Sequence, residues 1–157
     1  KDQNTIDFSV YSISEGKEKI LHSQGFAEVA IKPKKLRLNI TEIKERCNNV
    51  VLTDVQCYEA FEGIGIDYGT THRSIQKIYQ GEGEVLSALS LDASILNTMD
   101  QFVMHPALMD SALQSAIGLM ASQGNMTDGL PGIKLPFYLE EIEVFDECKT
   151  SYINPGR

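Results

Sequence analysis

The sequence predicts an α+β fold in which short antiparallel strands pack around one long apolar helix. Three observations predict it. Several runs alternate apolar and polar residues with the period of a half-buried strand. Gly- and Asp-rich turns separate those runs in pairs, as hairpins require. Finally, residues 103–123 carry a single formal charge, Asp110, in a chain that is otherwise 23% charged.

Ile6, Phe8 and Val10 alternate with polar neighbours. Ser14-Glu15-Gly16-Lys17 then supplies a turn, and a second extended run covers Ile20 to Val29. Residues 5–31 are therefore expected to form a hairpin, which is marginal in water unless it packs on something else. Residues 32–49 gather six of the 14 basic residues, Lys32, Lys34, Lys35, Arg37, Lys44 and Arg46, and include Pro33. This is a connecting segment with about one helical turn near Thr41 to Arg46. It offers a docking patch for an acidic partner, but a solvated linker is the simpler reading of such a charge run.

Thr53-Asp54 can cap a short helix on which Val55, Tyr58 and Phe61 recur at three-residue spacing. Gly63 and Gly65 end it. Arg73 to Gln80 and Val85 to Leu91 are extended runs on either side of Gly81-Glu82-Gly83, a second hairpin. Residues 92–102 read as a loop. The apolar helix follows over about 106–123, with Pro106 in its first turn and Gly124 as its stop. Being apolar on nearly every face, it is expected to be buried. Residues 125–132 form a loop, and Leu135 to Phe145 reads as a last strand, with Ile142 and Val144 facing one way.

The chain is long enough for one domain with a real core. Three cysteines, Cys47, Cys57 and Cys148, are odd in number and form no CxxC, which suits a reducing cytoplasm and argues against a disulfide framework or zinc knuckle. A net charge of −8 disfavours nucleic acid, whose binding needs basic phosphate contacts. No apolar run approaches the length of a membrane span.

Chemistry is expected at Asp110 and at Gln114, four residues on and hence on the same helix face. An Asp at a helix start can simply face the positive end of the helix dipole, a gain of about 0.3–1 kcal/mol. On position alone that reading and an acid–base role are level. Apolar surroundings favour the second, since a dry carboxyl resists ionisation and becomes a proton donor near neutral pH. His105 precedes Pro106 at the N-cap and suits a structural hydrogen bond better than catalysis. Tyr68, in a Gly-flanked turn, could present its phenol to a pocket or be an ordinary half-buried tyrosine. His22 and His72 are expected at the surface. Ser111 has no paired base, and no set of His and acids has metal-ligand spacing.

These residues resemble a known family. His105-Pro106-Ala-Leu-Met-Asp110-Ser-Ala-Leu-Gln114 is similar to the HPxxxDxxxQ motif of dehydratase domains in modular polyketide synthases. Tyr68-Gly69-Thr70-Thr71-His72-Arg73 resembles the family's YGPxFQ turn, Leu135-Pro136-Phe137 with Leu139 to Ile142 its LPFxxEE(I/V) strand, and His22-Ser23-Gln24-Gly25 its HAxG strand. The segments look most like dehydratases of bacterial synthases that use free-standing acyltransferases.

The resemblance implies a double hotdog fold, each half wrapping a curved sheet around one helix, here incomplete. Residues 1–31 would be the last strands of the first hotdog, 32–49 the linker and 50–157 the second hotdog. It implies dehydration of a 3-hydroxyacyl thioester, carried on the phosphopantetheine arm of an acyl carrier protein, to the α,β-enoyl thioester. Asp110 would be the acid, oriented by Gln114. Tyr68 would line the site, and His105 and Pro106 would shape the approach to the helix. No metal or redox cofactor is implied. Neighbouring synthase domains and a second copy of the domain, forming a homodimer, are the other expected partners. The chain departs from the family pattern at Thr70, where proline is usual, and at His72-Arg73. It also lacks the HxxxGxxxxP motif that carries the family's histidine base, so the base is expected outside these residues and the 157 residues alone are expected to be inactive. Two other reactions fit the same fold, a double-bond shift and ring closure by an internal hydroxyl. A non-catalytic scaffold is the third alternative.

Overall fold

A computed structural model describes residues 4–29, 38–121, 137–144 and 147–148. The chain divides into two compact units, Lys1–Leu36 and Arg37–Arg157.

In the first unit, β1 (Thr5–Ile13) and β2 (Lys19–Glu28) form the expected antiparallel hairpin, in register from Thr5 opposite Glu28 to Ile13 opposite Lys19. The turn closes through Lys17 N donating to the Ser14 carbonyl at 2.8 Å, and it is Lys17, at φ 63°, that takes the left-handed position beside Gly16. A register shift between Val10 and Tyr11 breaks the alternation. The expected half-buried face is not observed: Ile6, Phe8 and Val10 are all exposed. Two strands by themselves have no second layer to bury a face against.

The second unit begins with α1 (Ile40–Arg46), whose N-cap Asn39 accepts from the backbone N–H groups of Thr41 and Glu42. Of the basic cluster, residues 32–37 lie outside the described residues. Arg46 is engaged within the fold, donating Nε and Nη2 to the Glu84 carboxylate at 2.6 and 3.0 Å. β3 (Asn49–Thr53) follows, a strand that the sequence reading passes over because it is only five residues long. It runs directly into α2 (Asp54–Gly63) through a complete capping box: Gln56 N donates to Thr53 Oγ1, and Thr53 N donates to Gln56 Oε1 at 2.9 Å. Gly65, at φ 85°, turns the chain away after it.

β4 (Ile75–Gln80) and β5 (Val85–Leu89) form the second hairpin, and β3 pairs with β4, giving an antiparallel sheet of order β3-β4-β5. Gly83, at φ 68°, serves the turn between β4 and β5. The register shifts between Ile75 and Lys77. That shift has a consequence for packing. Residues 75 and 78 have opposite parity and would face opposite sides of a regular strand, yet both are fully buried in one cluster. Leu52, Cys57, Tyr58, Phe61 and Ile117 complete this core. Burial pushes the Cys57 thiol up to about 12, which marks it as a packing residue rather than a nucleophile.

Residues 92–102 are not the featureless loop expected. Ala93–Gln101 winds as 3₁₀ helix, started by Asp92 accepting from Ser94 N. A second, smaller cluster of Leu91, Ala107 and Leu108 lies under it, joined by Ile95 and Met99.

Where the sequence predicts one helix over 106–123, the structure has two, α3 (Pro106–Gln114) and α4 (Ile117–Ala121). The cause is local. Ser115 turns its hydroxyl back on the Ser111 carbonyl at 2.8 Å, and the next bonds tighten to three-residue spacing, Ala116 N to Leu113 O and Gly118 N to Ser115 O. Nor is α3 buried on every face. Ala107, Leu108, Ser111 and Gln114 are buried, while Pro106, Ala112 and Leu113 are exposed. Gly124, the expected stop, and the loop from 125 to 132 lie outside the described residues. The last expected strand is absent across 137–144, where no ladder forms and Phe137, Tyr138, Leu139, Ile142 and Val144 are all exposed. Its period is that of a strand, but backbone pairing needs a neighbour, and the described residues offer it none. Its beginning, at Leu135-Pro136, is not among them. The α+β class holds; two small sheets, not a closed double hotdog, are what the described residues form.

Gly118 is where α4 meets the sheet. A Cβ there would stand 2.6 Å from Cγ2 of the fully buried Ile78 and 3.2 Å from Cγ1 of Val85. Alanine is the better helix former by about 1 kcal/mol, but overpacking a fixed core costs about 1–3 kcal/mol, so the clash should win. Gly118→Ala is expected to lower the urea unfolding midpoint; a raised midpoint would mean that α4 can back away freely.

Candidate active site

Asp110 sits on α3 one turn above Gln114, and the amide is bound to it: Gln114 Nε2 donates to Asp110 Oδ2 at 2.8 Å. The same nitrogen donates to the backbone carbonyl of His72 at 3.1 Å, so both of its hydrogens have acceptors. The amide oxygen accepts from the Tyr58 hydroxyl at 3.3 Å, and that hydroxyl in turn accepts from Ile75 N at 3.1 Å. Gln114 is buried, and three of its four hydrogen-bonding positions are filled. It is held from α2 by Tyr58, from the turn before β4 by the His72 carbonyl, and within α3 by Asp110.

Asp110 itself is only partly buried. The dry carboxylate anticipated from its apolar neighbours is not present, because the exposed side of α3 begins beside it. Among the described residues no hydrogen bond reaches its Oδ1. One carboxylate oxygen is anchored and the other is open.

Tyr68 lies at the edge of this group. Its ring stands edge-on to Phe61 and Tyr58, with centroids 5.1 and 6.2 Å away. Burial, and secondarily the charge of Asp110, raise the phenol's pKa, so it stays a protonated donor at the edge of the site. The turn that carries it is braced by Arg73, which donates Nε to the Tyr68 carbonyl at 2.6 Å and Nη2 to Asp67 at 3.1 Å. The guanidinium also lies over the Tyr58 ring at 5.3 Å. Arg73 thus stiffens a turn whose sequence has Thr70 in place of the usual proline. His72 is exposed, and it is its backbone rather than its ring that enters the site.

His105 is buried and caps α3. Its Nδ1 accepts from Ala107 N at 3.2 Å. Its Nε2 lies 3.0 Å from Thr98 Oγ1, whose own hydrogen goes to the Ile95 carbonyl at 2.7 Å. Thr98 must therefore accept, which fixes the ring as the neutral Nε2–H tautomer. With both nitrogens engaged, His105 has none left for a substrate proton. Pro106 occupies the first turn and is exposed. Ser111 is buried and accepts from Ser74 N at 3.3 Å, tying α3 to the start of β4. Among the described residues no group of three or more His, Cys, Asp or Glu could hold a metal ion, and no helix is long and apolar enough to cross a membrane.

The structure bonds Gln114 to Asp110 and sets the Tyr68 ring against Tyr58 and Phe61; sequence reasoning misses Tyr58, which it treats only as a core residue of α2. A signal was available. A tyrosine on the apolar stripe of a helix must find a partner for its hydroxyl when buried, and a buried glutamine elsewhere in the chain has the same need.

Comparison with known proteins places the chain. The model of the polyketide synthase dehydratase N-terminal domain matches residues 36–154. Polyketide synthase PksM of Bacillus subtilis is 37% identical over 150 residues, covering 94% of this chain and 4% of that protein. A trans-AT polyketide synthase dehydratase domain from Brevibacillus brevis is 33% identical, with a TM-score of 0.81 over 94% of this chain and 50% of that one. The CurK dehydratase, solved as inactive Asp-to-Asn and His-to-Phe variants, is 27% and 28% identical, each with a TM-score of 0.67 over 76% of this chain and 41% of that one. The chain spans about half the length of these dehydratase structures and a small share of the synthase. It belongs to the polyketide synthase dehydratase family.

Proposed function

We propose that this chain provides the acid side of a site that dehydrates a 3-hydroxyacyl thioester held on the phosphopantetheine arm of an acyl carrier protein. A base removes the α-proton, the Cα–H electron pair becomes the Cα=Cβ bond, and the β-hydroxyl leaves as water with a proton from Asp110. The products are the α,β-enoyl thioester and water. The observation that carries this reading is the pinned carboxyl: Gln114 holds Oδ2 at 2.8 Å while Oδ1 stays open to a substrate hydroxyl. A group that served only to face the helix dipole would not need a buried amide fixed from three sides. Tyr68, a protonated phenol beside Asp110, suits a donor to the same hydroxyl.

The base is a histidine supplied by sequence outside these residues, in a double hotdog whose first half ends with residues 1–31 and whose second half is 50–157. The His-to-Phe and Asp-to-Asn variants of the CurK dehydratase, both inactive, support a two-residue site of this kind. The acyl carrier protein, neighbouring synthase domains and a second copy of the domain are its proposed partners.

The test offers a 3-hydroxyacyl carrier protein to the complete synthase protein and to the 157-residue chain, following the acyl group by mass. Loss of one water with the complete protein alone is expected. A product of unchanged mass with a moved double bond or a new ring would overturn dehydration, and turnover by the 157 residues would overturn an external base.

A further inference from the structure

We propose that Tyr58 is a positioning residue for Asp110, acting through Gln114. This rests on reading Asp110 as the acid. Four groups form one directed chain: Ile75 N–H to the Tyr58 oxygen at 3.1 Å, Tyr58 O–H to Gln114 Oε1 at 3.3 Å, and Gln114 Nε2–H to Asp110 Oδ2 at 2.8 Å. The direction is forced. Gln114 Nε2 is committed to two acceptors, Asp110 Oδ2 and the His72 carbonyl, so the amide turns its oxygen to Tyr58 and the phenol must donate to it. A donor at the amide oxygen draws electron density from nitrogen and makes its N–H groups stronger donors, so each bond reinforces the next. The chain also fixes place as well as polarity. Its first member is main chain of β4, whose neighbouring side chain Ile75 is fully buried, and its second is a ring wedged between Phe61 and Tyr68. The central strand of the sheet thereby sets where the open oxygen of Asp110 points.

Without the hydroxyl, Gln114 Oε1 loses a partner in a buried place and Ile75 N–H loses its acceptor. The amide would still prefer its nitrogen toward Asp110 and the His72 carbonyl, but its position would loosen. A misplaced acid slows the chemical step and leaves substrate binding alone.

The experiment is a double-mutant cycle in the complete synthase protein, read as kcat and KM for a 3-hydroxyacyl carrier protein. Tyr58→Phe is expected to lower kcat roughly tenfold, the scale of one hydrogen bond, with KM little changed. In a Gln114→Ala background the same change should lower kcat less than about twofold, because the link is already cut. Equal losses in both backgrounds, or an unchanged kcat in the first, would overturn the proposal. A purely structural role would give equal losses. Should Tyr58→Phe fail to fold, NMR of the unmutated 157-residue chain decides instead: the Tyr58 hydroxyl proton should be protected from exchange and lie against the Gln114 amide, and a rapidly exchanging hydroxyl would overturn the proposal. An Asp110→Asn change without effect would defeat the acid reading itself, and the two failures are thereby distinct.

Discussion

Asp110→Asn should lower the rate of water elimination by roughly 10²–10⁴-fold, the usual weight of a positioned acid or base. The change keeps the shape of the side chain. Gln114 Nε2 can still donate to an oxygen at the place of Oδ2, where it now sits at 2.8 Å, and the residue is only partly buried. Folding should therefore be nearly undisturbed, within about 0.5 kcal/mol by urea titration. An amide, however, has no carboxyl proton to give the departing hydroxyl. Loss of rate with an intact fold separates chemistry from structure, and mass analysis of the acyl chain measures it. Retained turnover would show that the proton comes from elsewhere, with the Tyr68 phenol the next donor to examine.

The parts of the fold governed by neighbours in sequence were legible. Thr53 and Gln56 are three apart and make their capping box from local geometry alone. The Gly81–Gly83 turn and the runs beside it specify a hairpin by the same logic. Asp110 and Gln114 meet because a helix brings residues four apart onto one face.

What sequence period could not show was set by single polar groups or by partners distant in the chain. The helix break at Ser115 depends on one hydroxyl choosing the Ser111 carbonyl over water, a competition that leaves no trace in an apolar pattern. Ile75 and Ile78 share a core only because the strand shifts register between them. The partner of Tyr58 lies 56 residues away. The run 137–144 has a strand's period without a strand's pairing, since periodicity records which face could be buried and not what would bury it. Asp110's expected dryness failed for a related reason: one flank of α3 is open, and composition cannot say which.

Gln114→Glu is expected to be the most disruptive single exchange at the site, although it replaces one nitrogen by one oxygen. That atom now donates to Asp110 at 2.8 Å and to the His72 carbonyl at 3.1 Å. An ionised carboxyl there would set oxygen against oxygen twice and place a second negative charge beside the first. At about 4 Å such a pair repels by about 4 kcal/mol at the effective dielectric of a protein surface. The introduced carboxyl escapes most of this by keeping a proton, so its folded pKa lies above the roughly 4.3 of an unfolded chain. The sign of the pH dependence follows. Below about pH 4.3 the variant should come closest to the parent in stability, and it should lose stability as pH rises through the raised folded value. Near pH 8 the deficit should reach about 2–4 kcal/mol, the scale of an unpaired buried polar group with a charge in play. Urea midpoints of variant and parent at pH 5 and pH 8 measure it; a deficit of the same size at both would mean that the new carboxyl finds another partner and leaves Asp110. Dehydration at pH 8 should fall with it, because Asp110 would lose the Gln114 N–H that holds its Oδ2 in place.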